Sequence, residues 1–309
     1  MNLNSVKVSV IIPTYKRSSD IGRAVESVLN QTLDAFEVIV VDDNGVSTDE
    51  GKATALVMKK YMSDSRLKYI RHETNKNGSA ARNTGIKASR GKYVAFLDDD
   101  DAYYPERLEK MYYNMEQLDS TWGACYTAYV KHQPSGRDQF SAEKVEGYIY
   151  KQTLMRSFFL GSGSNLFFRK SAIDEIGLFD ESFKRNQDLE YLVRITRKYK
   201  MAYVDDVLLE CFYDIRTNKV SLEASIEREK AFRDKFSPFL TDFTDIEKRE
   251  INIMWDIDWV RDMIDIKKYL LAIKELVCRN IPIRVLIKYA FYVIDRKKNN
   301  TCYGFVVKL

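Results

Sequence analysis

Four consecutive aspartates at residues 98–101 are the side chains whose type and spacing best fit a chemical role. Adjacent carboxylates repel one another, and an acidic run is most often a solvated loop. This run directly follows the apolar segment 93–97, which has the composition of a buried strand. Carboxylates that are partly removed from water need a cation, and oxygen ligands without His or Cys suit Mg²⁺ or Mn²⁺. The sequence therefore predicts a divalent metal site here, with the solvated loop as the alternative.

Polar residues also follow two earlier apolar segments. Tyr15 comes soon after residues 6–12, and Asp42 and Asp43 directly follow residues 36–41. A tyrosine ring can stack on a nucleobase, and an aspartate can accept hydrogen bonds from an imide N–H or a ribose hydroxyl. The alternative for the two aspartates is an Asx-turn that closes the strand. Together the three segments predict a nucleotide site beside a metal site.

The elements that must position these residues alternate between strand and helix signals through the first half of the chain. The strands are apolar on both faces, which indicates a mostly parallel sheet covered by helices on both sides. Because ligands of such sheets bind at the carboxyl ends of the strands, we expect the three polar segments at one edge. The predicted strands are 6–12, 36–41, 67–70 and 93–97, and the predicted helices lie near 21–29, 54–61 and 80–88.

Beyond residue 122 the pattern changes. Shorter strands are predicted up to about residue 213, and helical periodicity dominates from residue 223. Apolar residues between 264 and 276 fit one helix, and residues 285–294 fit another. We therefore predict an α/β domain over residues 1–222 and a helical region over residues 223–309.

Five segments follow one another along the chain. They are VSVIIPTYKR at 8–17, QT at 31–32, EVIVVDDNG at 37–45, NGSAARNTG at 77–85, and FLDDDD at 96–101 with Pro105. In this order they resemble the family 2 glycosyltransferases of the GT-A fold. The resemblance covers about residues 6–221, and it implies a Rossmann-like, mostly parallel central sheet with helices on both faces. It also implies inverting transfer of a sugar from a nucleotide sugar.

The same resemblance implies which residues bind the donor and its metal. The family's D-x-D pattern places Asp98 first and Asp100 as the main ligand of Mn²⁺ or Mg²⁺. Taken without the resemblance, Gly78 could be a plain turn, and Arg82 could be a helix-face arginine paired with a nearby acid. The implied nucleotide contacts are Pro13, Tyr15, Asp42, Asp43, Gly78, Arg82 and Asp98.

Two positions on the acceptor and leaving-group side depart from the family pattern. Asp188 matches the catalytic base, but Gln187 stands before it where the usual residue is glutamate. The alternative for Asp188 is that it is simply an acidic residue at a helix N-terminus, where the helix dipole favours negative charge. Arg216 stands where many relatives have a histidine near the diphosphate, and a guanidinium can serve as a permanent phosphate clamp. Arg216 could instead be a surface residue.

The implied function is a metal-dependent hexosyltransferase. It would move a sugar from a nucleotide sugar to a hydroxyl of a saccharide or lipid-linked acceptor in bacterial surface polysaccharide synthesis. The resemblance favours a UDP-sugar as the donor. Two rival functions stay open. A sugar nucleotidyltransferase would need a glycine-rich loop after the first strand, where this chain has PTYKR. A non-catalytic nucleotide- or saccharide-binding module on the same fold stays open because of the departures at Gln187 and Arg216. The retention of Asp98, Asp100 and Asp188 argues against it.

Composition bounds the class of protein and its compartment. The 309 residues include 49 Lys and Arg against 45 Asp and Glu, and the four cysteines form no C-x-x-C pair. Widely spaced cysteines suit a reducing compartment, and we expect neither a disulfide framework nor a zinc finger. No early apolar run is long enough to span a membrane, and no leader is recognisable. The sequence therefore predicts a cytoplasmic protein.

The C-terminal 43 residues differ in charge from the rest. Residues 267–309 hold 10 Lys and Arg and 2 Asp and Glu, a net charge of 10 − 2 = +8, so the remainder carries 39 − 43 = −4. This basic end favours an anionic partner. Residues 281–294 are too short to span a membrane but could lie on the anionic inner face of one as a peripheral contact. The alternatives are a packed helix with a solvated basic face, or a homodimer contact. No nucleic-acid-binding motif is recognisable.

Overall fold

Residues 6–183, 185–212 and 221–309 are described by the structure, a computed structural model. Arg216 lies outside these residues. The chain divides into two compact units, one made of Met1–Ile149 with Leu160–Tyr213 and the other of Tyr150–Phe159 with Asp214–Leu309. The single boundary between residues 222 and 223 stays a prediction.

Ten strands and eleven helices are found in the described part of the chain. The strands are β1 (Val8–Thr14), β2 (Phe36–Asp42), β3 (Leu67–Arg71), β4 (Tyr93–Phe96), β5 (Ala102–Tyr103), β6 (Trp122–His132), β7 (Gln139–Ser141), β8 (Phe167–Arg169), β9 (Lys200–Phe212) and β10 (Thr301–Cys302). The helices are α1 (Ile21–Leu29), α2 (Asp49–Met58), α3 (Gly78–Ala88), α4 (Arg107–Glu116), α5 (Tyr150–Leu154), α6 (Lys170–Ile176), α7 (Gln187–Thr196), α8 (Leu222–Phe236), α9 (Asp245–Asp265), α10 (Tyr269–Cys278) and α11 (Ile283–Asn299). Short 3₁₀ helices cover Gly163–Asn165 and Ser237–Asp242.

The first unit is built on a mixed sheet with strand order β7-β6-β8-β4-β1-β2-β3. Strands β4, β1, β2 and β3 are parallel, whereas β8 is antiparallel to both β4 and β6. Strand β9 pairs in parallel with β6 and also pairs with the short strand β5. This architecture, with its C-terminal helices, confirms the predicted α/β class.

Local sequence explains the parallel part of the sheet. Strands β2 and β4 are buried along their whole length because helices cover both faces. The buried residues of α1 follow helical spacing, at Ile21, Ala24, Val25 and Val28. Helix α3 lies close against β1 because Gly85 has no side chain, and a Cβ there would overlap Ile11.

Strand register brings the polar segments to one edge. Thr14, the last residue of β1, pairs with Asp42, the last residue of β2, and Ile11 pairs with Phe96 of β4. The backbone N–H of Leu97 still donates to the Ile11 carbonyl at 3.0 Å. Residues 13–17, 43–45 and 98–101 therefore leave the sheet at the same carboxyl edge, as parallel strands require.

The second unit is helical, and the stretch Tyr150–Phe159 is tied into it by buried polar contacts. The indole N–H of Trp255 on α9 donates to the Leu154 carbonyl at 2.7 Å. The buried Arg156 guanidinium lies 2.9 Å from a Glu229 carboxylate oxygen and 3.2 Å from one of Asp258. These contacts explain why ten residues from the middle of the chain belong to the C-terminal unit.

One helix prediction in this unit is wrong. Ile264 belongs to α9, whereas Ile273 belongs to α10, and the chain turns between the two helices. Lys267 in this turn has φ +62°, a left-handed conformation that a continuous α-helix cannot contain. The apolar residues on the two sides of the turn happen to continue the same helical spacing, so the sequence pattern did not reveal the break. No helix of the described residues is long and apolar enough to cross a membrane.

Candidate active site

A cavity of about 540 Å³ lies at the carboxyl edge of the sheet in the first unit. Seven of the predicted site residues line it, and they come from the ends of β1, β2 and β4 and from the start of α3. Of the described site residues, Asp42 and Asp188 do not line it. The seven are Pro13, Tyr15, Asp43, Gly78, Arg82, Asp98 and Asp100.

The first three aspartates of the acidic run are held by cationic and backbone donors. Asp98 accepts a hydrogen bond from Arg82 Nη2 at 2.7 Å. Asp99 is buried and accepts from the Tyr15 backbone N–H at 3.1 Å. Asp100 forms an ion pair with Arg17 Nη1, and Arg17 Nε lies 3.5 Å from Asp99. Two arginines thus offset much of the repulsion within the run.

Asp101, the last aspartate of the run, is buried at the cavity and is held by hydroxyl and backbone donors. Its carboxylate accepts from the Ser162 hydroxyl at 2.7 Å, from the Ser164 hydroxyl at 2.5 Å and from the Phe212 N–H at 3.1 Å. Burial raises the pKa of Asp101, and burial raises the pKa of Asp99 to about 7. The run is therefore a partly buried structure rather than a fully solvated loop.

The acidic side chains at the cavity are the candidate ligands of a divalent metal. No group of three or more His, Cys, Asp or Glu side chains is arranged to hold an ion anywhere in the described ranges. Asp98 and Asp100 nevertheless place carboxylate oxygens at the cavity wall, and these side chains are only partly buried. Hard oxygen donors with room for further ligands fit Mg²⁺ or Mn²⁺. The carboxylate oxygens of Asp98 and Asp100 are therefore suitable ligands for such an ion. Arg82 contacts Asp98, and Arg17 contacts Asp100.

Asp42 is buried and holds its own strand end. Its Oδ1 atom accepts from the Asn44 backbone N–H at 3.0 Å, which is the hydrogen bond of an Asx-turn. Its Oδ2 atom accepts from the Tyr69 hydroxyl at 2.5 Å. The alternative left open for Asp42, a turn that closes the strand, is therefore present in the structure.

Asp43 organises the loop that precedes α3. Its carboxylate accepts from the backbone N–H groups of Lys76 and Asn77 at 2.8 and 2.9 Å, and from the Asn75 amide at 2.7 Å. His72 Nδ1 lies 2.7 Å from the same carboxylate. Asp43 lines the cavity, so it both shapes this wall and faces the open space.

The start of α3 packs closely on the start of α7. Arg82 donates to the Gln187 side-chain oxygen at 2.8 Å, while its other terminal nitrogen contacts Asp98. A Cβ at Gly78 would lie 2.9 Å from that Gln187 oxygen and 3.1 Å from Arg82 Nη1. A side chain at position 78 would therefore have to displace the ends of these two side chains. Arg82 is paired with an acid while it lines the cavity.

Asp188 is the second residue of α7 and lies beside this contact. The residue is half-buried. Burial raises the pKa of its carboxyl group, whereas the Arg82 charge acts to lower that pKa. A carboxyl group with a raised pKa at the margin of a polar cavity is a candidate general base.

Several cavity residues were missed by sequence reasoning. Arg17 lies in the first family-like segment, but its type and position alone gave no role. Lys131 and Phe212 come from β6 and β9 and reach the cavity only through long-range strand pairing. Ser162, by contrast, lies in the segment 161–165 that the resemblance assigns to the acceptor side, with a plain flexible connection as the alternative, and residues Gly163–Asn165 form a buried 3₁₀ turn.

Known proteins share this fold and part of this sequence. The crystal structure of S. aureus TarS 1-349 in complex with UDP-GlcNAc has a TM-score of 0.65 at 20% identity, over 84% of this chain and 73% of that chain. The poly(ribitol-phosphate) beta-N-acetylglucosaminyltransferase TarP of Staphylococcus aureus is 34% identical over 186 residues, 59% of this chain and 54% of TarP.

An uncharacterised glycosyltransferase of Rickettsia conorii is 31% identical over 252 residues, which is 77% of this chain. The chain spans only about two fifths of the length of that protein, since the match covers 39% of it. The family model described as glycosyl transferase family 2 matches residues 9–177, more than half of the chain. This protein therefore belongs to glycosyl transferase family 2.

Proposed function

We propose that this protein is an inverting hexosyltransferase that moves a sugar from a UDP-sugar to a hydroxyl group of a saccharide or lipid-linked acceptor. The observation that carries the proposal is one cavity that joins Tyr15, Arg82, Asp98 and Asp100. The TarS complex and the printed activity of TarP favour UDP-N-acetylglucosamine as the first donor to test and surface polysaccharide as the product.

The donor nucleotide would occupy the cavity between β1 and α3. Tyr15 is 43% exposed, so its ring is open to stacking on the base. Pro13, Gly78 and the backbone of residues 75–77 would form the wall against the nucleotide. Asp43 holds that backbone in place and would contact the ribose or base, whereas the buried Asp42 would act through its Asx-turn. Arg216 stays a predicted phosphate contact.

Asp98 and Asp100 would hold the divalent metal. When bound, the ion supplies positive charge that stabilises the leaving diphosphate. Arg82 contacts Asp98 and lines the same cavity, so its guanidinium can bind phosphate oxygens as a bidentate donor.

Asp188 would act as the general base. Its carboxylate would take the proton from the acceptor hydroxyl while that oxygen forms a bond to the anomeric carbon. The bond from that carbon to the diphosphate oxygen breaks on the opposite face, and its electron pair leaves with the nucleoside diphosphate. The raised pKa of Asp188 increases its basicity, because base strength follows pKa.

Location and partners complete the proposal. The four cysteines, all within the described residues, form no disulfide, which favours the reducing cytoplasm. We place the enzyme there, with the basic C-terminal residues on the inner membrane surface. A homodimer through the same residues is the competing arrangement.

Thermal unfolding with nucleotides tests the donor site first. Wild type and Asp100→Ala are heated with UDP, GDP, CDP or dTDP, each with and without Mn²⁺. UDP at 100 times its dissociation constant should stabilise wild type by about 2.7 kcal/mol. The shift should require Mn²⁺ and be absent in Asp100→Ala, whereas Asp49→Ala, a change of an exposed aspartate, should behave as wild type.

Transfer is then measured with UDP-N-acetylglucosamine and a set of saccharide acceptors. The proposal predicts release of UDP that depends on acceptor and metal. Nucleotide binding without any release of UDP across the set would favour the non-catalytic module instead. One observation supports that rival, since Arg17 and Arg82 already balance Asp100 and Asp98 without a metal.

A further inference from the structure

Helix α11 has an exposed apolar row along its whole length. Ile283, Ile287, Phe291 and Ile294 are separated by four, four and three residues, so they share one face. Ile283 is 71% exposed and Phe291 is 69% exposed. The opposite face contains the buried Val285, so it is the face that packs within the helical unit. A helix that is apolar on both faces needs a second apolar environment.

Helix α10 has the same character. Leu270, Ile273 and Val277 share a face and are exposed, with Leu270 at 86% and Val277 at 75%. Ala272, on the other side, is buried against Trp259 and its neighbours on α9. Contiguous exposed apolar faces of this kind mark surfaces for a partner or a membrane rather than ordinary solvated helices.

Cations accompany both rows. Arg284 and Lys288 each follow a row residue of α11 directly, and Lys297 and Lys298 follow its last one. Within the chain as described, Arg284 and Lys288 form no ion pair with an acidic side chain.

The two acids of residues 267–309 already have partners. Glu275 accepts from Arg279 at 2.8 Å, and Asp295 accepts from the Tyr303 hydroxyl at 2.6 Å. Asp256 of α9 also forms an ion pair with Arg279, whereas Arg284 and Lys288 keep their charge open to the surroundings.

We propose that the exposed apolar rows of α10 and α11 dock on an anionic phospholipid bilayer. An apolar face flanked by Lys and Arg is the arrangement by which a helix lies in a membrane interface, where acyl chains receive the apolar residues and anionic headgroups receive the cations. Neither helix is long and apolar enough to cross the bilayer, so the contact is peripheral.

A second copy of this chain fits the surface less well. A twofold dimer brings the same patch of each subunit together, which would place Arg284, Lys288, Lys297 and Lys298 near their equivalents. Charged residues are also depleted at the centres of protein interfaces. A bilayer with anionic headgroups satisfies the apolar row and the cations together, so charge complementarity selects it.

Vesicle flotation of the full chain tests the inference, and it needs no sugar donor, so its outcome is independent of the proposed function. Wild type is mixed with vesicles of phosphatidylcholine alone or of phosphatidylcholine with phosphatidylglycerol, at low and high salt. We expect flotation with the anionic vesicles and its loss at high salt, because salt screens the headgroup attraction.

Paired variants separate the two contributions. Ile287→Ser/Phe291→Ser should weaken binding by at least about tenfold, and Arg284→Gln/Lys288→Gln by about 20-fold. All four residues are exposed, so folding should be retained, and unchanged thermal unfolding checks this.

The matched control is Leu56→Ser/Lys59→Gln, which changes exposed residues of the first unit and should float as wild type. Equal flotation of wild type and Ile287→Ser/Phe291→Ser would overturn the inference. A wild-type dimer that the same variant converts to monomers, without any binding to vesicles, would overturn it in favour of self-association.

Discussion

Arg82 and Gln187 are joined by a hydrogen bond of 2.8 Å from the guanidinium to the side-chain amide oxygen, and the same guanidinium contacts Asp98. The amide partner is neutral, so Arg82 has one anionic neighbour in this contact rather than two. Positive charge is thus kept available at the cavity wall, where a diphosphate would bind.

Gln187→Glu should weaken UDP binding about three- to tenfold, because a second carboxylate beside Arg82 repels the diphosphate and competes for the guanidinium. Titration calorimetry with UDP measures the effect. Gln152→Glu, on a half-buried glutamine of α5 in the other unit, is the control and should not alter UDP affinity. Tighter UDP binding by Gln187→Glu would contradict this account of Arg82.

Asp188→Asn should lower turnover by about 10²- to 10⁴-fold, because an amide cannot accept the acceptor proton. UDP affinity should stay within a factor of about two, since Asp188 does not line the cavity. Steady-state kinetics and calorimetry on the same preparation separate the two effects. Turnover equal to wild type would remove Asp188 from the mechanism.

The raised pKa of Asp188 also predicts how stability depends on pH. The native state holds this proton more tightly than the unfolded chain, so wild type should lose stability as pH rises from the ordinary aspartate value through the raised one. Asp188→Asn lacks this loss. The difference in Tm, in favour of the variant, should therefore grow between pH ~4 and pH ~8. A difference that is constant with pH would argue against a desolvated carboxylate.

Arg17→Ala should strengthen Mn²⁺ binding about tenfold, the equivalent of removing one charge-assisted hydrogen bond that competes for Asp100. Electron paramagnetic resonance of free Mn²⁺ measures this without any turnover. The matched control is Arg23→Ala, whose guanidinium donates to the Asp100 backbone carbonyl and leaves the carboxylate alone. Weaker Mn²⁺ binding in Arg17→Ala would show that Arg17 supports the ion instead.

Arg156→Met should lower the free energy of unfolding of the helical unit by about 1–3 kcal/mol, because Glu229 and Asp258 each lose one of two arginine partners and keep only Arg233 and Arg261. Denaturant unfolding measures the loss, and Lys230→Met, an exposed change on the same helix as Glu229, is the control. Adding Asp258→Asn to Arg156→Met should recover part of the loss. No recovery would mean that the loss comes from packing rather than from uncompensated charge.

The sequence predicted best where local pattern decides structure. The apolar segments and helical spacing up to residue 97 correspond to β1–β4, α1 and α3 within a few residues, because buried strands and amphipathic helices have strong local signals. Strand ends also led correctly to one sheet edge, since parallel strands end together.

Sequence reasoning was weakest where distant segments meet. The role of Phe212 depends on the pairing of β9 with β6, which no local pattern encodes. The sequence also could not show which of the two adjacent aspartates lines the cavity. In the structure Asp42 forms an Asx-turn, and Asp43 lies at the cavity wall. Adjacent side chains at a strand end point to opposite sides, and the choice is fixed by register with the neighbouring strand.

The ten residues Tyr150–Phe159 leave the first unit and return to it, yet they pack among the C-terminal helices through Leu154 and Arg156. A chain cut near residue 213 would strip these residues of their partners and leave buried polar atoms unsatisfied. The helical unit is therefore not a single continuous segment of the chain. Exchange of the helical unit between relatives, by recombination or by design, therefore has to move both of its stretches together.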